Sequence, residues 1–308
     1  MVFKKKKIEV IGVSSDLGAN IPGASLGPSW LRAASLHEIL HAVGLETSDL
    51  GDLTVVDRGL VGKEHIADQY RLLLAELLQN LAERTYLSMK NNNKPLILGG
   101  DHSLSIGSVG GVQKYFIEQG KSLGLVWFDA HADMNRPESS PSGNLHGMPV
   151  SVLLGKGHEH FTDIIARSSF LLPENIVLIG LRDVDNKEQQ ILEKSGVLYF
   201  RMDDVFKLGI ESIMSKTVNH LKEKVDAVHI SFDMDAIDPL YAPGVSTPVP
   251  NGLMVKDALL ALEMLSSAID VQSMDLVELN PLKDQDQKTA QLAVDLIKSA
   301  IVEHPLGS

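Results

Sequence analysis

The chain has 308 residues, 44% hydrophobic and 22% charged, with 25 glycines and 13 prolines, a usage that excludes a coiled coil, a collagen-like chain and wholesale disorder. Its formal net charge of −12 disfavours a nucleic-acid or polyphosphate binder and suits an acidic protein handling a small cation. There is no cysteine, so disulfides, thiolate nucleophiles and thiolate metal sites are excluded and any metal must sit on His, Asp or Glu.

The lysine-rich start, Met1 to Lys7, leads into an apolar stretch that is short and interrupted by Glu9 and Asp16, which is not the pattern of a secretory signal. No run reaches the ~18 consecutive apolar residues of a membrane helix. The expectation is a soluble, cytoplasmic protein that engages no membrane. Ile8 to Val13 is the first of seven short apolar runs, followed by Pro95 to Leu98, Leu123 to Phe128, Asn175 to Ile179, Val197 to Phe200, Val225 to Phe232 and Val271 to Leu279. Bounded by Gly, Asp or Pro, each reads as a buried strand of a parallel sheet. Gly18 to Pro28 reads as a long loop, with Pro28 placed to open a helix toward Arg32. Glu64 to Lys90 is the clearest helix, because Ile66, Tyr70, Leu73, Leu74, Leu77, Leu78 and Leu81 recur at three- and four-residue steps. Asn91, Asn92 and Asn93 form its polar stop.

Strands alternating with helices predict an α/β fold with a mostly parallel sheet covered on both faces, and ligands then collect at the carboxyl ends of the strands. No repeat, low-complexity tract or linker marks a boundary, so one domain over residues 1–308 is expected.

Three strand ends carry metal-capable side chains. The run ending at Phe128 leads into Asp129, His131 and Asp133 at i, i+2 and i+4, which share one face in extended chain. The run ending at Phe232 leads into Asp233 and Asp235 with the same alternation, while Asp238, before Pro239, reads as the cap of a turn and His229 as a core histidine. After Leu98, two glycines that allow close backbone approach precede Asp101, His102 and Ser103, of which Asp101 and Ser103 also suit helix capping.

Carboxylates clustered at strand ends repel unless a cation compensates them. Two divalent ions balance the four aspartates Asp129, Asp133, Asp233 and Asp235, and neutral His102 and His131 complete the shell. Such a donor set favours manganese or a similar hard ion over structural zinc. Two such ions about 3.5–4 Å apart can share a water and lower its pKa from ~15.7 toward ~7, which points to hydrolysis by a metal-bridging hydroxide.

The segments Gly99 to Ser103, Asp129 to Asp133 and Ser231 to Pro239 are similar to the three signatures of the ureohydrolase family, and Gly27-Pro28 to Leu31-Arg32 also matches, so that the resemblance covers nearly the whole chain. Within the family, Ser142 to Gly147 and Gly180 to Glu188 resemble arginase segments rather than agmatinase ones. The resemblance implies a three-layer α/β/α sandwich on an eight-stranded, mostly parallel sheet. It implies two manganese ions per subunit, with cobalt or another divalent ion as substitute, and hydrolysis of L-arginine to L-ornithine and urea. It also implies a homo-oligomer, trimeric or hexameric.

Residue by residue, the matching positions make His102, Asp129, His131, Asp133, Asp233 and Asp235 the metal ligands and His146, Glu278 and Asp133 the catalytic residues. Glu278 matches the family's guanidinium-binding glutamate, and a carboxylate suits that role by charge-assisted hydrogen bonding. His146 matches the histidine that passes a proton to the leaving amine. Asn135, Ser142 and Asn144 match contacts to the α-carboxylate, Asp185 and Glu188 match contacts to the α-ammonium, and Thr247 matches a further active-site position. The chain departs from the family in Ser246 and Asn251, each standing where glycine is frequent. Agmatine or another guanidino substrate, and a non-catalytic metal-binding protein of the same fold, are the alternative readings.

Overall fold

A computed structural model describes residues 7–55, 66–166 and 169–302. The first six residues of the lysine-rich start, and Glu64 and His65 of the expected helix, lie outside that set. Eight strands form one sheet among the described residues: β1 (Ile8–Gly12), β2 (Thr47–Asp52), β3 (Lys94–Leu98), β4 (Leu123–Phe128), β5 (Ile176–Leu181), β6 (Leu198–Arg201), β7 (Ala227–Asp233) and β8 (Val271–Val277). Their spatial order is β2-β1-β3-β8-β7-β4-β5-β6, and every pairing is parallel.

All seven expected strands are present, with ends shifted by a few residues. The eighth, β2, has no apolar run to announce it. In its sequence TSDLGD every residue is exposed or only partly buried, because an edge strand needs only one partner and faces solvent on its free side. Arg32 holds it instead: Nε donates to Asp49 Oδ2 at 2.7 Å and Nη1 to Asp52 Oδ1 at 2.6 Å.

Helices cover both faces, as parallel crossovers require. On one side lie α3 (Ile66–Lys90), α4 (Ser105–Glu118), α5 (Pro149–Leu153) and α6 (Glu159–Ala166). Leu74, Leu77, Leu78 and Leu81 of α3 pack there with Ile97, Leu125 and Trp127. The opposite core gathers Leu96, Leu98, Val126, Phe128, Ile230 and Phe232 from the sheet with Leu262 and Leu265 of α10 (Val255–Ala268) and Leu296 of α11 (Lys288–Ile301). Neighbouring strand residues thus go to opposite cores, as the two-residue period dictates. The helix opened by Pro28 is α1 (Gly27–Ala33). The remaining helices are α2 (Leu36–Ala42), α7 (Asn186–Ser195), α8 (Met202–Leu208) and α9 (Ile210–Lys222). Among the described residues no helix is long and apolar enough to cross a membrane.

Strand register brings the candidate residues to one level. Leu98 pairs with Leu276, Leu276 with Phe232, Phe232 with Phe128, and Phe128 with Ile179. Five adjacent strands, β3, β8, β7, β4 and β5, therefore end side by side, and their outgoing loops open onto one crevice.

Candidate metal centre and substrate cavity

Each strand end delivers its polar residues to that crevice by a different local device. After β3, Gly100 lies so close to Ser15 that a Cβ would collide with the Ser15 backbone, and Asp101 N donates to Ser15 O at 3.0 Å. Asp101 is a cap, accepting from Ser103 N at 2.9 Å and Gly18 N at 2.8 Å. After β4, Asp129, His131 and Asp133 do not continue as extended chain. Asp133 adopts φ 53°, so the one-face alternation expected from sequence is not what aligns them. After β7, Asp233 caps a single 3-10 turn, Met234–Ala236, and accepts from Asp235 N at 2.7 Å. β8 stops at Val277 because Glu278 takes φ 62°. Two site residues thus hold left-handed backbone without being glycine, the kind of strain that clusters at functional sites.

The side chains meet in two linked groups. His102 Nδ1 lies 3.0 Å from Asp129 Oδ2, 3.3 Å from Asp133 Oδ2 and 3.1 Å from Asp233 Oδ2. His131 Nδ1 lies 3.2 Å from Asp129 Oδ1 and 3.2 Å from Asp235 Oδ2. Asp129 belongs to both, one oxygen to each. All six residues are buried except His131, which is partly exposed.

Despite three carboxylates around it, His102 Nδ1 is buried and makes no hydrogen bond of acceptable geometry. Three carboxylate oxygens stand within 3.3 Å of it and none forms a hydrogen bond with it, the arrangement of ligands converging on an ion. The donor chemistry agrees: His102, Asp129 and Asp133 form one group that could hold an ion and Asp129, His131 and Asp235 a second, with Asp233 Oδ2 beside the first at 3.1 Å from His102 Nδ1.

Without an ion, electrostatics are strained. Burial pushes the Asp133 carboxyl well above its usual range, and Asp129 repels it further; Asp233 is raised by burial and by Asp235 and Asp129. Burial alone would lower the His102 imidazole, but the carboxylates of Asp129, Asp233 and Asp133 crowded around it outweigh that and hold it well above. Asp129, raised by burial, is pulled below its usual range by His102 and His131. The cluster borrows protons to compensate charges that a divalent pair would neutralise.

Above the cluster is a cavity of about 280 Å³ lined by His102, His131, Asp133, Asn135, Ser142, His146, Asp183, Asp185, Glu188, Asp233 and Thr247, among others. His146 Nδ1 lies 2.9 Å from Glu278 Oε1, and burial, which lowers its pKa, is outweighed by that carboxylate, which raises it. Asn135 Nδ2 donates to Asp185 Oδ2 at 2.8 Å, and Asp185 Oδ1 caps α7 through Lys187 N and Glu188 N. Glu188 accepts from Met134 N at 2.9 Å. Thr247 donates its hydroxyl to Asp235 Oδ2 at 3.0 Å. Glu278 lies beneath His146, 1% exposed.

One expected contact sits elsewhere. Asn144 lines a neighbouring cavity of about 590 Å³, which shares Ser142 with the first, because the loop turns at Gly143, φ 72°. Two features escaped the sequence reading. Asp183 Oδ2 stands 3.7 Å from His131 Nε2; the acidic run after β5 is its only signal. The Arg182 guanidinium donates to Asp235 O at 2.6 Å and Val249 O at 2.7 Å, tying the Asp235 loop to the end of β5. The departures are benign: Asn251 keeps φ 64°, which Asn tolerates, and Ser246 Oγ accepts from Asn280 Nδ2 at 3.0 Å. Asp238 caps its turn through Leu240 N at 3.0 Å, as expected.

Comparison with known proteins gives the same direction. The profile of the Arginase family matches residues 6–302. An arginase of Staphylococcus aureus is 42% identical over 297 residues, 96% of each chain. The solved arginase of Bacillus caldovelox superposes with a TM-score of 0.91 at 40% identity, covering 97% of this chain and 99% of that one. The Bacillus subtilis arginase structure gives 0.88 at 37%, covering 98% and 100%.

Proposed function

The chain belongs to the arginase family, and on that premise we propose that it hydrolyses the guanidino group of L-arginine to L-ornithine and urea at a dinuclear metal centre. The observation that carries the reading is His102 Nδ1, buried, without a hydrogen bond and encircled by Asp129, Asp133 and Asp233. His102, Asp129, Asp133 and Asp233 would hold one ion; His131, Asp235 and the second oxygen of Asp129 would hold the other. The carboxylate-rich donor set favours manganese. When bound, a divalent pair acidifies water so that hydroxide is available near neutral pH.

The guanidinium carbon is a poor electrophile, so placement matters. Glu278 Oε1 is occupied by His102 N, at 2.9 Å, and by His146, whereas Oε2 is buried without a partner. That free oxygen accepts the guanidinium N–H groups and fixes the plane of the group. His146, held at Nδ1, gives the proton on Nε2 to the nitrogen of the breaking C–N bond, so that ornithine leaves as a neutral amine. At the far end of the cavity Asp185 and Glu188 receive the α-ammonium and Asn135 and Ser142 serve the α-carboxylate, with Asn144, on the neighbouring cavity's wall, assigned to the same carboxylate by the family resemblance. Thr247 orients Asp235 by its hydroxyl. A cytoplasmic homo-oligomer, trimeric or hexameric, completes the reading on the strength of the family resemblance.

The test is urea release by protein stripped of metal and reloaded in turn with manganese, cobalt or zinc, on arginine and on agmatine. Manganese should restore the most activity, and arginine should exceed agmatine by ~10²-fold or more in kcat/KM, since agmatine leaves the carboxylate contacts unpaired. No urea from arginine with any ion overturns the proposal, and equal rates on both substrates reassign it.

A further inference from the structure

Behind His102, on the side away from the cavity, a chain of buried polar groups runs into the sheet. His102 Nε2 lies 2.9 Å from Ser231 Oγ. Ser231 donates to Asp275 Oδ1 at 2.6 Å. His229 Nε2 lies 2.9 Å from Asp275 Oδ2, and its Nδ1 lies 2.8 Å from Ser273 Oγ. Ser108 also donates to Asp275, and Ser105 Oγ approaches Ser231 Oγ at 3.1 Å. His102, Ser105, Ser108, His229, Ser231, Ser273 and Asp275 are all buried, and Asp275 is wholly inaccessible.

A carboxylate so deep in the core is costly unless paired, and Asp275 of β8 pairs with Ser231 of β7, two hydrogen bonds behind the cavity wall at His102. Burial raises its pKa, but His229 opposite it outweighs that and keeps the carboxyl below its usual range. An ionised carboxylate only accepts. Ser231 has one proton, and it goes to Asp275, so toward His102 the Ser231 oxygen can only accept. The hydrogen between them must therefore be carried by His102 Nε2. Hydrogen-bond logic thus sets the tautomer, leaving Nδ1 with a lone pair aimed at three carboxylates, an arrangement that is repulsive unless a cation stands between them.

We propose that Asp275, acting through Ser231 and itself held by His229, is a positioning residue that fixes His102 as its Nε2–H tautomer and aims the Nδ1 lone pair at the ion on the His102 side. This rests on the reading of His102 as a metal ligand. The carboxylate–serine–imidazole chain also raises the basicity of the ligand nitrogen, as outer partners of metal-bound histidines do. Among the described residues the His131 side shows no such counterpart: its ring nitrogens face Asp129 and Asp235, both read as ligands, and the exposed Asp183. The two ions should therefore respond differently to changes in this chain.

Three near-isosteric variants of the full-length protein test it: Ser231→Ala removes the acceptor, Asp275→Asn removes the charge, and Ser231→Thr keeps the hydroxyl. Each is stripped with a chelator and titrated with manganese, with bound ions counted by metal analysis and the coupling of neighbouring Mn(II) ions followed by electron paramagnetic resonance. Wild type should take up two ions per subunit with a coupled spectrum. Ser231→Ala and Asp275→Asn should retain one ion with an uncoupled spectrum and need about 10- to 100-fold more manganese for the second; Ser231→Thr should behave as wild type. Ser231→Ala and Asp275→Asn each leave a buried partner unpaired, so their metal-free melts should fall, while Ser231→Thr should stay near wild type; the readout is therefore which ion is lost, at a temperature where all four are folded. Two ions bound by Ser231→Ala and Asp275→Asn at wild-type concentrations overturn the inference, as does equal weakening of both ions, which marks a merely structural chain. A wild type that binds no manganese overturns the metal-centre reading itself.

Discussion

His146 Nδ1 and Glu278 Oε1 are 2.9 Å apart, joined across 132 residues of sequence. The same oxygen accepts from His102 N, so one carboxylate braces both the candidate proton donor and the backbone of a candidate metal ligand. Only Oε2 is left for substrate. In Glu278→Gln the amide oxygen must stay where two donors already point, which turns the NH2 toward the guanidinium and sets donor against donor. Removing one partner of a buried charge pair costs ~3–5 kcal/mol, so kcat/KM for arginine should fall on the order of 10²–10⁴-fold. Manganese content, measured in the same preparation, should be unchanged; loss of the metals would assign Glu278 a different role.

Asp129 offers one oxygen to each ion group, so its removal should not be a half-effect. Asp129→Ala is expected to lose both ions and all urea release. The fold should persist, because the metal-free cluster is already under like-charge strain that the substitution relieves. Metal analysis with far-ultraviolet circular dichroism checks both halves. A variant that keeps full activity would falsify the shared-ligand geometry.

How much of this could be read from the chain alone differs from residue to residue. Buried strands such as Leu123–Phe128 are legible because a strand covered on both faces must be apolar throughout. Edge strand β2 is not, since its stability comes from Arg32 reaching Asp49 and Asp52, a long-range pairing with no local pattern. The metal-capable residues were legible as types at strand ends, but their alignment was not. Asp133 reaches His102 through a left-handed backbone rather than by strand alternation, and which strands lie adjacent is a property of topology. His229 reads correctly as a core histidine, yet its place beneath Asp275 depends on the register of β7 with β8, which no single segment encodes.

Gly100 shows how close the packing is behind the first ligand. A Cβ there would run into the Ser15 backbone, so Gly100→Ala must displace either Ser15 or the segment carrying His102. Overpacking of this kind costs roughly 1–3 kcal/mol. The urea midpoint should fall without a change in m-value, and manganese affinity should drop as His102 shifts. An unchanged midpoint would mean that the Ser15 loop yields freely and that the glycine is not a steric requirement.

Glu188 gives the clearest pH dependence. Burial pushes its carboxyl up to about 7, from an ordinary 4.5, against the opposing hydrogen bond from Met134. A raised folded-state pKa means that the folded chain holds a proton that the unfolded chain has released, so this group's contribution to stability is present below 4.5 and is lost as pH rises toward 7. Binding runs the other way. An α-ammonium is attracted to the ionised carboxylate, so KM for arginine should be high at pH 6 and fall as the solution passes through about 7. Glu188→Gln removes the titration and should flatten that segment of the KM profile, while leaving the pH dependence of kcat to His146. Initial-rate measurements of both proteins between pH 5.5 and 8.5 separate the two groups; a Gln variant that keeps the wild-type slope in KM would place the titrating group elsewhere.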